Sequence, residues 1–484
     1  MNIDVCDNIG KILFVVSVLF LGYMILSPLN GLFIHVDEYF TYGLMYFNIG
    51  DMIAVTGNDV HPPLYYLILK AFTFILSSLN IHYDLLYAMK IVSVIPYILI
   101  LIFSFVKVKR DYGWFAAGLL PFSLVVMSEY LMYFITGRMY SWGLLFLLIS
   151  FIYYRNLLNT QDAKSWIIFT ICSVLGAYTH YFVAIPSFIL YMILLVNYIR
   201  EKAELKKWFI SVIAAVVAYV PWIFTLMRQV GGVSEGYWIK PIDFSSVLEF
   251  FGYYATNLGN IFIIILAIIS LAVMLIILFR NYDELEGDSL FILSGFIVFA
   301  GTIIIGCVVS FVMQPILIAR YLMPAGALVW FSIAVLIGKI ENRRIFSICL
   351  VLILLLTCAG LYNVAVSTHD TYADALNDKK LIDSIDSDDS IVIFNAGTGL
   401  MGIGELLDHS TVYAYNCDYV KQVDINRLNE SLEFTKITDS NLTDVIKAHD
   451  GKVFFVCSSG GDDIDMDKKE IGKIGSTKYY ELNV

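Results

Sequence analysis

The chain has 484 residues, of which 59% are hydrophobic and 15% are charged. An average soluble domain is about 45 to 50% apolar and about 25% charged, so most of this chain does not fold in water. The net charge of -11 is carried by one end, because residues 366–484 hold 22 acidic and 11 basic side chains. The sequence has no basic block that would neutralise a phosphate backbone, which excludes nucleic acid as a partner.

The apolar body predicts about 11 transmembrane helices, since a helical span needs about 20 apolar residues. In chain order, we predict a first span at 12–29, one near 84–106, helical hairpins at 113–154, 166–199, 208–279 and 289–338, and a last span at 345–364. The first two spans enclose a long loop at 31–83. Its apolar segment at 62–79 is predicted to lie at the membrane interface without crossing.

Short basic loops mark the cytoplasmic side of a membrane protein. The clusters that fix the direction of this chain are Lys107, Lys109 and Arg110; Arg155 and Lys164; Arg200, Lys202, Lys206 and Lys207; Arg280; and Lys339, Arg343 and Arg344. They predict a multi-pass protein of the cell (plasma) membrane with a cytoplasmic N-terminus. An odd number of spans then places the loop at 31–83 and the acidic C-terminal end outside the cytoplasm.

The acidic end has a different pattern. Four short β-rich runs, at 390–395, 411–415, 452–456 and 478–482, alternate with helical patterns at 378–385, 399–408 and 442–449. This alternation predicts a small extracytoplasmic α/β domain over 366–484, which is long enough to bury its own core. The predicted membrane domain covers 1–365.

Few basic residues lie on the predicted outer side of the membrane. Three of them, Lys90, Arg138 and Arg320, lie at the outer ends of predicted spans. Guanidinium groups bind phosphate oxygens in pairs, so such a cluster suits a lipid phosphate or pyrophosphate headgroup. The alternative is that these long side chains only snorkel to lipid headgroups. For Arg138 and Arg320 we favour a function.

The first outer loop carries two candidate features. Asp37 and Glu38 are adjacent carboxylates where the first span emerges, and such a pair can take a proton from a nucleophile or hold a divalent cation. His61 precedes two prolines, which hold the chain in a defined conformation. The alternative for His61-Pro62-Pro63 is an ordinary helix start.

The motifs Asp37-Glu38, His61-Pro-Pro-Leu-Tyr-Tyr, Gly137-Arg138-Met139-Tyr140, Tyr178-Thr-His180-Tyr181, Pro221-Trp222 and Ala319-Arg320-Tyr321-Leu-Met-Pro324 follow one another in order. Together they resemble the GT-C glycosyltransferases, within these the group around protein O-mannosyltransferases and lipid A aminoarabinose transferases. The resemblance covers about residues 10–365. It implies an enzyme that moves a hexosyl or pentosyl sugar from a polyprenyl-phosphate donor to an extracytoplasmic acceptor, which is a cell-surface glycan, a lipid or a protein.

The resemblance also implies roles. Asp37 would be the general base of an inverting displacement, with Glu38 assisting by orientation or by a metal contact. Arg138, Arg320 and Lys90 would stabilise charge on the lipid phosphate that leaves. The other expected substrate-binding residues are His61, Tyr140, His180 and Tyr321. A divalent cation is the one cofactor considered, and it stays open, because Ile135-Thr-Gly137 stands where many relatives have an acid and Glu129 is the nearest replacement.

Two other classes compete. A lipid or solute transporter or flippase would also be polytopic, but such proteins place ionisable or helix-breaking residues near the bilayer midplane, often in paired repeats. The predicted spans are largely free of charge. A receptor-like protein with a ligand-binding tail would not need so many spans as an anchor.

Overall fold

The computed structural model describes residues 3–234, 239–255, 260–285, 287–395, 400, 402–416, 434–458, 464 and 466–483. The chain divides into two compact units. The helical unit comprises residues 1–27, 93–135 and 139–368, and the mixed unit comprises residues 28–92, 136–138 and 369–484. The mixed unit therefore groups the first long loop with the acidic end of the chain. The boundary between domains at residue 366 stays a prediction.

Long apolar helices dominate the first part of the chain. In order they are α1 (Ile3–Leu26), α5 (Leu85–Phe103), α6 (Lys109–Val126), α7 (Ser128–Ile135), α8 (Tyr140–Asn159), α9 (Ala163–Thr179), α10 (Tyr181–Arg200), α11 (Lys206–Ser234), α12 (Phe244–Gly252), α13 (Ile261–Arg280), α14 (Ser289–Val312), α15 (Met323–Gly338) and α16 (Arg343–Ile385). Helix α16 continues from one unit into the other. A π-helical turn, Ser104–Val108, joins α5 to α6.

Within the described residues, nine helices are long and apolar enough to cross a membrane. One of them, Leu85–Val126, contains a break at Gly113, where φ is +85° and the helical path stops. A further apolar helix, α9, has 17 residues, just below the usual length of a span. Counting both sides of the break and α9 gives the segments that the sequence predicted. The chain is a multi-pass α-helical membrane protein.

Close packing in the helical unit depends on small residues. Helices α1 and α6 cross at Gly10 and Gly118, where an added Cβ would collide with the backbone of the other helix. Small residues let two helix backbones approach in a membrane, where there is no hydrophobic drive to bring helices together. At one end of this unit the buried carboxylate of Asp288 accepts hydrogen bonds from Arg155 at 2.6 and 3.2 Å, and Lys339 lies 2.9 Å away.

The first long loop of the mixed unit is mostly helical. Its helices are α2 (Asp37–Leu44), α3 (Ile49–Asn58) and α4 (Leu64–Ser78). The Asn48 side chain caps α3 by accepting from the backbone N–H of Asp51 at 3.0 Å. The Lys70 ammonium donates to the carbonyls of Met45 and Phe47, just past the end of α2, where a cation complements the helix dipole.

A six-stranded mixed sheet forms the rest of the mixed unit, in the order β3-β2-β1-β4-β6-β5. The strands are β1 (Ser390–Asn395), β2 (Thr411–Tyr415), β3 (Thr435–Ile437), β4 (Lys452–Ser458), β5 (Lys468–Ile474) and β6 (Thr477–Leu482). The first four are mutually parallel, with Val392 opposite both Val412 and Phe454, and β6 runs antiparallel to β4 and β5. This confirms the predicted α/β domain. The helix predicted at 399–408 lies partly outside the described residues.

Alternate residues along each strand face two separate cores, because successive side chains of a strand point to opposite faces. Ile391, Ile393 and Phe455 pack on one face against α17 (Asp439–Lys447). Val392, Phe394 and Phe454 pack on the other face against the end of α16. Tyr39 of helix α2 belongs to that second core and is 3% exposed. Helix α2 is therefore built into the core of the sheet domain.

Candidate active site

The two adjacent carboxylates open helix α2 and have different environments. Asp37 and Glu38 occupy the first turn, where the helix dipole favours negative charge. The side chain of Glu38 is fully buried, whereas that of Asp37 is 29% exposed. Helical geometry turns neighbouring residues to different directions, so one carboxylate enters the core and the other stays accessible.

Each carboxylate oxygen of Glu38 accepts two hydrogen bonds. Its Oε1 accepts from the Lys90 ammonium at 2.6 Å and from the backbone N–H of Gly137 at 2.5 Å. Its Oε2 accepts from the backbone N–H groups of Ile34 at 2.7 Å and His35 at 3.2 Å. Through these four donors, Glu38 fixes three segments of chain around α2.

A side chain at Gly137 would crowd this arrangement. A Cβ at this position would lie 3.2 Å from Oε1 of Glu38 and 2.7 Å from Cε of Met89. Without a side chain, the backbone of residues 136–138 can approach Glu38 closely enough to donate its N–H. The same approach delivers the next residue, Arg138, to the first turn of α2.

Arg138 is buried, with only 2% of its surface exposed. Its Nη1 donates to the Asp37 carbonyl at 3.3 Å, the Thr41 hydroxyl at 3.4 Å and the Tyr66 hydroxyl at 3.1 Å. Its Nη2 lies 4.0 Å from Oδ2 of Asp37. The guanidinium thus stands beside the accessible carboxylate.

His61 and Asp59 form an acid–imidazole pair in the same unit. Nδ1 of His61 lies 2.9 Å from Oδ2 of Asp59, and His61 is 9% exposed. Burial alone would raise the pKa of Asp59, but the neighbouring His61 and the charge of Arg138 outweigh it, and the pKa lies below its usual value. The positive charge of Arg138 therefore acts on Asp59, and Asp59 in turn contacts His61.

The remaining predicted residues cluster in the helical unit. The rings of Tyr140 and His180 are 5.4 Å apart, and those of His180 and Tyr321 are 4.7 Å apart. The guanidinium carbon of Arg320 lies 5.9 Å from the ring centres of both Tyr140 and Tyr321. His180 also caps α10, since its Nδ1 accepts from the backbone N–H of Phe182 at 3.2 Å. An arginine set on aromatic rings is oriented without losing its donors.

Glu129, considered from the sequence as a replacement acid, lies on α7 near this aromatic cluster. Burial raises the pKa of its carboxyl, and the charge of Arg320 offsets part of that rise. Arg320 therefore has both an acidic neighbour and aromatic neighbours.

The predicted residues thus fall into two groups. The mixed unit holds Asp37, Glu38, His61, Lys90 and Arg138, and the helical unit holds Tyr140, His180, Arg320 and Tyr321. Sequence reasoning missed Thr41, Asp59 and Tyr66, which contact or act on Arg138 or His61. Asp59 and Tyr66 flank the His61-Pro62-Pro63 motif, so their polar side chains next to that rigid turn were the available signal.

A divalent cation at Asp37 stays an open prediction. Across the described ranges, no three His, Cys, Asp or Glu side chains come together in a group that could hold a metal. The cation that the structure shows beside Asp37 is the Arg138 guanidinium.

The fold is that of a polytopic α-helical membrane protein with a C-terminal α/β sheet domain. Two solved structures of ArnT from Cupriavidus metallidurans share this fold, and each comparison covers 97% of both chains. The structure in the apo state has a TM-score of 0.57 at 11% identity, and the structure bound to undecaprenyl phosphate has a TM-score of 0.55 at 12% identity. No protein-family model matches the sequence. No curated protein sequence matches it either. The GT-C resemblance inferred from the motifs is confirmed for the fold.

Proposed function

We propose that the chain is a membrane glycosyltransferase that moves a sugar from a polyprenyl-phosphate donor to an extracytoplasmic acceptor. The GT-C fold supports this class of enzyme. The ArnT structure bound to undecaprenyl phosphate supports the class of donor, because it has the same fold over nearly the whole chain. A hexosyl or pentosyl group is the sugar expected, and a cell-surface glycan, lipid or protein is the acceptor.

The observation that carries the proposal is the different burial of two adjacent carboxylates. Asp37 is 29% exposed, and the Arg138 guanidinium lies 4.0 Å from its Oδ2. Glu38, in contrast, is fully buried and paired with Lys90. A general base must reach the proton that it takes, and only Asp37 of the two can be reached. A cation next to it can stabilise charge that develops on a leaving phosphate.

In the proposed reaction, Asp37 takes the proton of the acceptor hydroxyl or amine. The acceptor atom forms a bond to the anomeric carbon as the bond from that carbon to the phosphate oxygen breaks. The electron pair leaves with the polyprenyl phosphate, and the configuration at the anomeric carbon is inverted. Arg138 would donate to the phosphate oxygens as their charge grows. For Arg320, stabilising the charge on the leaving phosphate remains a prediction from the sequence.

Glu38 and Lys90 receive a positioning role in this proposal. The Lys90 ammonium is engaged by Glu38 at 2.6 Å and has no exposed surface, so we assign it to holding Glu38 and not to binding phosphate directly. Glu38 in turn fixes Gly137 and the start of α2, and these carry Arg138 and Asp37. His61, oriented by Asp59, is proposed to contact sugar hydroxyls.

The test is transfer of radiolabelled sugar from membrane-extracted polyprenyl-phosphate donors by the purified full chain. We expect Asp37→Asn to lower the rate about 100- to 10,000-fold while donor binding and thermal stability are kept, since general base catalysis contributes that much. Asp444→Asn is the matched control, because Asp444 is an exposed carboxylate on α17 of the same unit. A parallel reaction with a chelator tests the open question of the divalent cation.

Full activity of Asp37→Asn would remove Asp37 from the mechanism. If the folded wild-type chain consumes no donor, the enzyme proposal itself fails. The transporter or flippase alternative then becomes the hypothesis to test, by lipid or solute flux in vesicles that contain the protein.

A further inference from the structure

The mixed unit contains a cleft that the proposed chemistry does not use. It encloses about 210 Å³ between helix α2, the start of α5 and the end of α16. Its lining includes Phe33, Tyr39, Tyr42, Asp84, Lys379 and Asp383. The first long loop and the sheet domain therefore share its walls. A drug-sized ligand typically fills roughly 300 to 1,000 Å³, so this cleft suits a smaller unit.

One wall of the cleft is aromatic. The rings of Phe33 and Tyr39 stack at 4.3 Å with an interplanar angle of 15°, and Tyr42 meets Phe33 edge-on at 5.4 Å. Tyr46 continues the row, with its ring 5.7 Å from that of Tyr42 and its hydroxyl donating to the Tyr42 hydroxyl at 3.2 Å. The row combines flat apolar faces with phenol groups, as amphipathic binding surfaces do.

The rim of the cleft is acidic. Asp84 and Asp383 are exposed, and Lys379 is the cation beside them, 3.2 Å from Oδ1 of Asp383. Burial raises the pKa of the Tyr42 phenol above its usual range, the hydrogen bond from Tyr46 raises it further, and the charges of Asp84 and Glu405 add to the rise. The negative charges of Asp84 and Glu405 therefore act on Tyr42.

This combination selects one class of ligand. The weakly polar C–H face of a sugar ring packs on aromatic rings, and its hydroxyl groups donate to carboxylates, which only accept. An excess of carboxylates repels anionic groups and attracts amines. A phosphorylated or carboxylated saccharide would meet like charge at the rim.

We propose that this cleft binds the acceptor, and that the acceptor is a saccharide without negative charge, either neutral or amine-bearing, which inserts one terminal unit. That the bound saccharide is the acceptor rests on the proposed function. The saccharide-binding site itself is inferred from the cleft alone. In this inference the sheet domain helps to recognise the saccharide, and Asp37 in the first long loop activates it for sugar transfer.

The experiment measures binding of three tetrasaccharides to the purified full chain by saturation-transfer NMR: neutral chitotetraose, the amine-bearing chitosan tetramer and anionic tetragalacturonate. We expect the first two to bind and the third to bind at least about tenfold more weakly. Tyr42→Ala should weaken binding about tenfold by removing a stacking face, and Tyr42→Phe should restore it. Lys380→Ala is the control, because Lys380 is exposed on the same helix and does not line the cleft.

Asp383→Lys separates charge from shape, and it should bring tetragalacturonate binding toward that of chitotetraose. The inference is overturned if none of the saccharides binds, if the anionic one binds as well as the others, or if Tyr42→Ala binds like the wild type. Donor hydrolysis by the same samples is read separately. Donor turnover without cleft binding would overturn only this inference, and cleft binding without donor turnover would support the site while contradicting the proposed function.

Discussion

Lys90 and Glu38 form an ion pair with a 2.6 Å contact, and neither side chain has exposed surface. The pair joins residues that are 52 positions apart, between the start of α5 and the first turn of α2. Burying two charges is costly, and the cost is met only when both partners are present and further donors complete the shell. Glu38 has that shell, so the pair fixes the place of α2.

We expect Lys90→Met to destabilise the protein by about 3 to 5 kcal/mol, because it leaves a buried carboxylate without its charge partner. In thermal unfolding of the detergent-solubilised protein, this corresponds to a loss of roughly 10 °C in Tm. The double variant Lys90→Met with Glu38→Gln should recover part of the loss, since no net charge is then buried. Equal Tm values for wild type and Lys90→Met would show that the pair does not hold the fold. Lys380→Met, on an exposed surface, is the control.

Replacement of Arg138 by lysine keeps the charge but loses the planar fork. The contacts to Thr41 and Tyr66 cannot all be kept by an ammonium. We expect kcat/KM for sugar transfer to fall about 10- to 100-fold, in line with losing charged hydrogen bonds of about 1.5 to 3 kcal/mol. Arg228→Lys, an exposed arginine on α11, should transfer at the wild-type rate. Unchanged kinetics for Arg138→Lys would exclude a specific guanidinium contact.

The depressed pKa of Asp59 gives a pH dependence with a defined sign. The folded pKa lies below the usual 3.8, so the ionised form stabilises the folded state above that pH, and this stabilisation is lost as the pH falls through the folded pKa. We expect Asp59→Asn to have a lower Tm than wild type at pH 7, and the difference to shrink as the pH falls below about 4. A difference that stays constant down to pH 3 would contradict this. Asp444→Asn gives the baseline for an exposed carboxylate.

Contact between Gly402 and Tyr39 provides a test of how the sheet domain positions α2. A Cβ at Gly402 would lie 2.5 Å from both the Cβ and the carbonyl oxygen of Tyr39, so alanine there must push the two apart. Overpacking of this kind typically costs about 1 to 3 kcal/mol. We expect Gly402→Ala to lower the Tm by several degrees and to reduce sugar transfer through displacement of Asp37.

The matched control is Gly404→Ala, whose Cβ would meet nothing closer than Leu400 Cδ1 at 3.5 Å. It should be close to wild type in both assays. Equal behaviour of the two glycine variants would mean that α2 is not held through this contact.

The sequence predicted the central strands of the sheet and missed its edges. Strands β1 and β2 have the predicted bounds, because continuous or alternating apolar residues mark a strand that is buried on its faces. Strands β3 and β5 were not predicted. They are the two outermost strands, one of only three residues and the other rich in lysine, and edge strands tolerate such residues because they pair on one side only.

The candidate site was predicted in its residue types but not in its pairings. Asp37 and Glu38 stood out because they follow an apolar span, yet nothing in a dipeptide tells which carboxylate is buried. The place of Lys90 at the mouth of a span predicts a phosphate ligand, but it gives no sign of the ion pair with Glu38 that the structure shows. Such pairings depend on tertiary contacts between distant segments, which local pattern does not encode.

Tyr39 belongs to helix α2, yet its ring lies in the core of a sheet whose strands come from the far end of the chain. The two segments are therefore under one packing constraint. Among related sequences that keep this packing, position 402 should stay glycine, since the Cβ and the backbone carbonyl of residue 39 leave no space for a side chain there. The same constraint means that the C-terminal domain is not an independently exchangeable part: a recombinant that inherits it from one parent and the first loop from another would inherit a mismatched core.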